Sequence, residues 1–134
     1  MKSNKVAVIT GGGRGLGEAT VIDLLLQGFK VVCAEHNELL IDQVAKKINK
    51  EYFSSFLPCK TDVSNRNDVK NMYSMALDRF GSIDILINFA GINRDKPFLE
   101  LDDEDWDSVM DVHLKGAFIC CQEFVKCKSQ GNGH

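Results

Sequence analysis

The sequence predicts an α/β fold: a doubly wound parallel sheet covered by helices on both faces, in three α/β/α layers. Short β-rich runs alternate with longer stretches of helical periodicity, which is the pattern of βαβ units. A glycine cluster joins the first strand to the first helix. The 134 residues can bury one core but not two, so we expect a single domain over residues 1–134.

Four strands are predicted, at residues 5–10, 30–35, 53–57 and 83–87. The first helix is predicted at 15–27, because four small or apolar residues recur on one face at helical spacing. These residues are Gly17, Val21, Leu24 and Leu25. Gly28 is a plausible stop for this helix.

Three further helices follow by the same reasoning. The second, at 38–50, has one apolar side made by Leu40, Ile41, Val44 and Ile48. The third begins after Ser64, a suitable capping residue, and its inner face carries Val69, Met72, Tyr73, Ala76 and Phe80. The fourth is predicted at 103–126, and the polar, glycine-rich residues 129–134 are expected to form a loop or frayed end.

Composition and charge argue against several classes of function. The chain is 44% apolar and 26% charged, as soluble globular domains are. Its net charge of −3 leaves no basic surplus for nucleic acid or an anionic membrane. No apolar run is long enough for a signal segment or a bilayer span. The five cysteines are odd in number and contain no C-x-x-C pair, so we expect reduced thiols in the cytoplasm and no metal site.

The strongest local motif is Thr10-Gly11-Gly12-Gly13-Arg14-Gly15-Leu16-Gly17, between the first strand and the first helix. A diphosphate can approach backbone N–H groups at a helix N-terminus only where side chains do not block it. The residues expected to bind the diphosphate are Gly11, Gly13, Arg14, Gly15, Leu16 and Gly17. The alternative is a plain glycine-rich turn.

Glu35 ends the second strand roughly 20 residues beyond the glycine cluster, where a carboxylate can accept both hydroxyls of an adenine ribose. It would also repel a 2′-phosphate, which favours NAD over NADP. Arg14 argues the other way, because a cation in the loop could pair with that phosphate, so NADP stays possible. Either side chain could instead point into solvent.

The sequence resembles the short-chain dehydrogenase/reductase family, whose motif T-G-x-x-x-G-x-G it carries. Three more motifs match in order: Asp62-Val63, the turn Asn88-Phe89-Ala90-Gly91 with Phe where the family has a second Asn, and the helix 106–116. Residues 91–95 are similar to the loop of the 3-oxoacyl-carrier-protein and acetoacetyl-CoA reductase branch. The resemblance implies a Rossmann-type sheet that stops after about four strands and four helices.

The resemblance also implies roles for the matched residues. Asp62 and Val63 would contact the adenine, while Asn88, Ala90 and Gly91 would lie beside the nicotinamide ribose. The turn follows a parallel strand near the topological switch point, where such sheets bind ligands. Asp62 could otherwise be an exposed loop acid, and the turn could simply end its strand.

His113 stands where the family usually has Asn, which holds a water in a proton relay. It shares a predicted inner helical face with Trp106, Val109, Met110, Ala117, Cys120, Cys121 and Phe124. We therefore expect His113 to point inward and name it as the candidate catalytic residue, since imidazole can also donate and accept protons. The alternative is a core histidine with a satisfied hydrogen bond.

The family's catalytic Ser and its Tyr-x-x-x-Lys pair, in which the Lys lowers the pKa of the Tyr, have no counterpart in this chain. Its two tyrosines, Tyr52 and Tyr73, are followed at the fourth place by Phe56 and Leu77. We interpret the chain as a truncated NAD(P)-dependent oxidoreductase that is inactive alone. The complete enzyme would move a hydride between the nicotinamide and a carbonyl or secondary alcohol, with a 3-oxoacyl thioester as the favoured substrate.

Two alternatives remain: a non-catalytic nucleotide-binding or interaction module, and the product of an interrupted reading frame. The resemblance implies a homo-oligomer, because the family packs its fourth helix against a partner subunit. This helix is apolar on more than one side, where Val112, Phe118 and Ile119 extend the inner face. The fourth strand would also expose an apolar edge, which promotes association.

Overall fold

The structure, a computed structural model, describes residues 3–131 and contains a four-stranded parallel sheet. The strands are β1 (Val6–Thr10), β2 (Lys30–Glu35), β3 (Phe56–Lys60) and β4 (Ile85–Asn88). The helices are α1 (Gly15–Leu26), α2 (Glu38–Lys47), α3 (Arg66–Phe80), α4 (Asp103–Met110) and α5 (Gly116–Gly131). The strand order β3-β2-β1-β4 puts the crossover between β1 and β4, so the predicted doubly wound, Rossmann-type arrangement is confirmed.

Two apolar clusters fill the spaces on either side of the sheet. Alternate strand residues point to opposite faces. Val6 and Val8 therefore pack with α3 and α5, whereas Ile9 packs with α1 and α2. All five residues of β1 are buried, because this central strand is covered on both faces. The three-layer prediction is confirmed by these two clusters.

The segment between α2 and β3 differs from the prediction. The helix ends at Lys47, three residues early, because Ile48 and Asn49 adopt extended backbone angles. A 3₁₀ helix at Lys50–Ser55 follows, and β3 begins only at Phe56, opposite Val31 of β2. Pairing with β2, rather than local apolar content, sets the start of this strand.

The start of α3 and the bounds of β4 also differ slightly from the prediction. Asn65 caps α3 by accepting a hydrogen bond from the Asp68 N–H, while the Ser64 hydroxyl donates instead to Asp62. The strand β4 runs two residues later at its start than predicted and pairs with β1. Among the described residues it forms one edge of the sheet.

The predicted last helix is continuous but not uniform. One turn of π-helix, Asp111–Lys115, separates α4 from α5, and the helix continues to Gly131. The loop predicted at 129–131 is therefore wrong, and 132–134 lie outside the described residues. The wider π turn shifts the helical phase, so the predicted inner face is also wrong in part. Trp106, His113, Phe118 and Cys121 are exposed, while Asp105 and Glu123 are buried; Ile119 is buried, as predicted.

Candidate functional site

A groove of about 730 Å³ opens at the carboxyl ends of the strands, beside the N-terminus of α1. Most of the predicted site residues line it: Gly11, Arg14, Gly15, Leu16, Gly17, Glu35, Asp62, Val63, Ala90 and Gly91. Asn88 and His113 line a smaller cavity of about 270 Å³, which shares Val63 and Ala90 with the groove. Gly13 lies behind Glu35 and lines neither space. The fold thus brings together residues that are far apart in the sequence.

The glycines of the loop serve different purposes. A Cβ added at Gly11 would lie 2.7 Å from the Ala90 nitrogen, and one at Gly17 would overlap the Gly11 carbonyl oxygen. These two positions use the small size of glycine to let backbone pack on backbone. Gly15 shares a positive φ (+58°) with Gly11 (+67°), but it differs in its surroundings, because a Cβ there would meet nothing within 4 Å. The open space in front of Gly15 is therefore available to a ligand.

The first turn of α1 is open to the groove. Its capping residue, Arg14, makes no side-chain capping bond, whereas Asn37, Asn65 and Asp102 cap α2, α3 and α4. The first N–H groups of a helix have no acceptors within the helix, and the helix dipole makes this end partially positive. A diphosphate fits this cradle in both shape and charge.

Glu35 is held in place by backbone amides. Its Oε1 accepts from the Gly13 N–H at 3.1 Å and its Oε2 from the Asn37 N–H at 3.0 Å. A Cβ at Gly13 would lie 2.6 Å from Oε1, so this glycine makes room for the carboxylate. The result is a half-buried carboxylate with one fixed orientation at the groove wall. Arg14 also lines the groove and is exposed.

Asp62 and Val63 follow β3 and reach the groove from the opposite wall. Asp62 Oδ1 accepts from the Ser64 N–H at 3.0 Å and from the Ser64 hydroxyl at 2.6 Å, which folds the loop tightly. Val63 is buried, and a Cβ at Gly116 would lie 2.6 Å from its Cγ2. Val63 therefore also fixes the beginning of α5.

The turn after β4 is attached to the end of β1 through Thr10, which belongs to the glycine motif but was given no role from the sequence. The Thr10 hydroxyl accepts from the Ala90 N–H at 3.2 Å, and its carbonyl accepts from the Phe89 N–H at 3.1 Å. Thr10 is buried, and a buried hydroxyl needs such a partner. Its position directly before Gly11 was the available signal. Asn88 Nδ2 lies 3.6 Å from Cys121 Sγ.

His113 contacts the same turn from the π-helical segment. Its Nε2 lies 2.8 Å from the Ile92 carbonyl oxygen and 3.0 Å from the Ile92 nitrogen. The ring is exposed, so the expected inward orientation and the alternative of a core histidine are both wrong. The π turn explains the difference, because it places residue 113 beside the loop rather than in the core.

Asp105 is a second residue that the sequence analysis missed. It is buried and ion-paired to Lys96 at 2.7 Å, with Arg94 at 3.8 Å. Hydrogen bonds from Lys96 and from the Asp102 N–H hold the pKa of its carboxyl below the ordinary value. Asp102 and Asp105 also form a capping box at the start of α4, which was the signal in the sequence. The loop that follows Gly91 is therefore anchored at its far end.

Three of the cysteines and Tyr73 form part of the core and do not line the groove. Cys33, Cys59 and Cys120 are buried, and burial raises their pKa values to about 12, 11 and 12. Cys121 is exposed, contrary to expectation. The buried Tyr73 hydroxyl donates to the Cys120 carbonyl at 2.9 Å, and burial raises its pKa. This tyrosine faces the α3–α5 contact.

Two kinds of feature are absent from the described residues. Within residues 3–131, no set of three His, Cys, Asp or Glu side chains is arranged to hold a metal ion. Over the same range, no helix combines the length and apolar character needed to cross a membrane.

Parallel α/β proteins that bind nucleotides place the ligand at this position, where the strand order reverses. The short chain dehydrogenase family model matches residues 5–134, and the chain belongs to that family. An uncharacterized oxidoreductase of Staphylococcus haemolyticus is 35% identical over 98% of this chain and 56% of its own length. A 3-oxoacyl-[acyl-carrier-protein] reductase of Staphylococcus aureus is 34% identical over 92% of this chain and 50% of its own.

Solved structures agree with this assignment. A short chain dehydrogenase from Bacillus anthracis superposes with a TM-score of 0.86 at 32% identity, over 92% of this chain and 49% of its own. A 3-ketoacyl-(acyl-carrier-protein) reductase from Brucella melitensis, complexed with NADH, gives 0.84 at 29% identity, over 96% and 53%. The chain spans about half the length of these relatives.

Proposed function

We propose that this chain is the NAD-binding part of an oxidoreductase, and that Glu35 sets its preference for NAD(H) over NADP(H). The observation that carries the proposal is the Glu35 carboxylate, fixed by two backbone amides at the wall of the groove. A fixed carboxylate accepts both ribose hydroxyls well and repels a 2′-phosphate. The relative solved with NADH supports a nicotinamide cofactor.

The groove residues fit a dinucleotide along its length. The open backbone at Gly15 and the N–H groups of Leu16 and Gly17 would hold the diphosphate. Asp62 and Val63 would contact the adenine, and the turn with Asn88, Ala90 and Gly91 would lie beside the nicotinamide ribose. Gly11 lines the groove with them, whereas Gly13 supports the site from behind Glu35. When bound, the nicotinamide supplies the carbon that gives or takes the hydride.

A titration with NADH and NADPH, followed by the fluorescence of the reduced nicotinamide, tests this proposal. We expect saturable binding of NADH and weaker binding of NADPH. In Glu35→Gln the negative charge is lost while one amide acceptor remains, so NADPH affinity should rise roughly tenfold, about 1.4 kcal/mol. The matched control is Glu38→Gln, three residues along and exposed, which should change neither affinity.

Two outcomes would contradict the proposal. If folded protein takes up neither dinucleotide, the cofactor assignment is wrong. If NADPH binds more tightly than NADH to the unaltered chain, Arg14 rather than Glu35 governs the choice.

For the reaction, we propose hydride transfer to the carbonyl carbon of a 3-oxoacyl thioester, or the reverse from the secondary alcohol. Support comes from the relatives named as 3-oxoacyl-carrier-protein reductases and from the similar loop at residues 91–95. His113 would act beside this reaction as a proton relay, close to the turn that carries Ala90. A non-catalytic nucleotide-binding module is the second candidate, favoured by the groove lining, which includes neither Tyr52 nor Tyr73.

We also propose that the chain associates with a second copy of itself. Three apolar side chains spaced along the last helix are exposed: Leu114 (69%), Phe118 (57%) and Val125 (59%). Their spacing of four and seven residues places them on one stripe of the helix surface. Burying such a stripe is favourable, because it removes apolar area from water.

A further inference from the structure

Arg94 is held in the wall of the groove by a charge cluster around Asp105. Asp105 is buried, and its Oδ2 accepts from Lys96 Nζ at 2.7 Å while its Oδ1 lies 3.8 Å from Arg94 Nε. Arg94 Nη1 also donates to the Asn93 carbonyl at 3.2 Å. Two nitrogens of the guanidinium therefore contact the protein, although the Arg94 side chain is 41% exposed and lines the groove.

Lys96 takes the larger share of the Asp105 charge. Its contact with the carboxylate is the shorter of the two, and this hydrogen bond raises the pKa of the Lys96 ammonium. The Asp102 N–H donates to the same carboxylate at 3.2 Å. A paired carboxylate attracts a second cation weakly, because the two opposite charges of the closer pair largely cancel. Asp105 therefore positions Arg94 without neutralising it.

The wall beside this guanidinium is formed by one face of α4 and the π turn that follows. Asp105, Ser108 and Asp111 recur every three residues, which places them next to one another on the helix surface. Ser108 and Asp111 both line the groove. Ile92 and Val112 add apolar surface to the same lining. The wall thus combines apolar surface with a hydroxyl and a carboxylate.

The charges around Arg94 favour a neutral ring over a phosphate. Arg94 and Lys96 carry two positive charges and Asp105 and Asp111 two negative ones, so the formal charges of these four side chains cancel. A phosphate is bound better by the open N-terminus of α1. A guanidinium is attracted by the face of an aromatic ring and can stack flat on it. A purine base is therefore the part of a dinucleotide that fits beside Arg94.

We infer that Arg94 contacts the purine base of the bound dinucleotide, and that Asp105 is a positioning residue that holds Arg94 in place for this contact. The positioning of Arg94 rests on the contacts of the folded chain alone. The contact with a base rests in addition on the proposed function, because it requires that the groove binds a dinucleotide.

Calorimetric titration of Arg94→Met with NADH and with ADP-ribose tests the base contact. Methionine keeps an unbranched apolar side chain but removes the cation. Both ligands carry the adenine, so both affinities should fall roughly fivefold. Arg79→Met is the matched control and should change neither affinity, because Arg79 lies on α3 outside the groove lining. A loss for NADH alone would place Arg94 beside the nicotinamide instead, and that result or two unchanged affinities would overturn the inference.

NMR of the unaltered chain tests both parts without a substitution. Nuclear Overhauser effects should connect the Arg94 side-chain protons with H2 or H8 of the adenine of bound NADH. Without ligand, the Arg94 Nε–H should exchange with water more slowly than that of Arg14, which is exposed and makes no capping bond. Absence of the first signal overturns the base contact, and equal exchange overturns the positioning.

Asp105→Asn tests whether Asp105 acts through Arg94. Asparagine keeps an oxygen for capping but loses the charge, so NADH affinity should fall about as far as in Arg94→Met. The double variant should lose no more than either single variant. Asp103→Asn, an exposed change in the same helical turn, is the control and should have no effect. Two losses that multiply in the double variant would overturn the positioning.

Failure of this inference is distinct from failure of the cofactor proposal. If the unaltered chain binds no dinucleotide, the proposed function is wrong. If it binds NADH and the Arg94 and Asp105 variants bind it equally well, only the role given to these two residues is wrong.

Discussion

Glycine residues that look equivalent in the sequence have distinct tasks in the folded loop. Gly11 and Gly17 allow backbone to lie on backbone, and Gly13 accommodates Glu35. Gly15 alone among these four has open space before it, and it shares a left-handed backbone angle with Gly11. The ligand-binding contribution of the motif should therefore concentrate at Gly15, while changes at the others should first disturb folding.

The substitution Gly15→Ala tests whether this position contributes to ligand binding in addition to the stability of the fold. Gly81, at the end of α3, has the same kind of backbone (φ +79°) and the same empty surroundings, but it does not line the groove. Gly15→Ala and Gly81→Ala should each cost about 1 kcal/mol of stability in urea unfolding, because alanine resists positive φ. Only Gly15→Ala should weaken NADH binding, by roughly tenfold (about 1.4 kcal/mol). Equal affinities of the two variants for NADH would refute the assignment.

Local patterns predicted some site residues and could not predict others. The glycine loop and Glu35 are separated by one helix, and the number of residues between them was enough to predict that both belong to the same site. Thr10 and Ala90 are 80 residues apart, and no local pattern predicts the hydrogen bond between them. Asp105 pairs with Lys96 across the loop before α4, a partner that no local pattern indicates. When a polar side chain bonds to a residue far away in the sequence, that partner can be identified only once the fold is known.

For the last helix, the sequence predicted the position of the helix in the chain but not which of its residues face the core. Its start at Asp103 was predicted correctly, but a period of 3.6 residues placed Trp106, His113 and Cys121 inside. The π turn at Asp111–Lys115 inserts additional rotation, and no residue type marks such a turn in advance. The same shift brings His113 to the loop and turns the apolar stripe on α5 outward.

That stripe should make the chain self-associate. In sedimentation equilibrium, the average mass of the unaltered chain should rise with concentration. The double variant Phe118→Glu, Val125→Glu should remain a monomer. Association would remove the two introduced carboxylates from water without giving them an oppositely charged partner. Leu26→Glu is the matched control, since Leu26 on α1 is 62% exposed and lies outside the stripe. A monomer at every concentration of the unaltered chain would argue against the stripe as an interface.

At the scale of the whole molecule, the alternation of strands and helices was sufficient to predict the sheet and its layers. The register of β3 was not, because Phe56 begins the strand where it meets Val31 and not where apolar residues begin. The two sheet edges within residues 3–131 also differ. On β3, Pro58 removes one backbone donor, whereas β4 has no proline. A further strand can therefore pair at the edge formed by β4, which lies next to the small cavity.

Neither tyrosine of this chain is placed to act on a ligand in the groove. Tyr73 is buried on the α3–α5 side, Tyr52 packs against the cluster beneath α1 and α2, and neither lines the groove. The chain should therefore bind NADH but leave it unoxidised when acetoacetyl-CoA is added, as followed by absorbance of the reduced nicotinamide.

Fusing on the remaining segment of the Staphylococcus aureus 3-oxoacyl-[acyl-carrier-protein] reductase should restore oxidation, since that relative extends well beyond the matched half. Replacing the tyrosine of a Tyr-x-x-x-Lys pair in the fused segment by phenylalanine provides the control and should abolish turnover again, because the general acid is lost. Oxidation of NADH by the unfused chain would mean that its own residues, with His113 the first to test, complete the reaction.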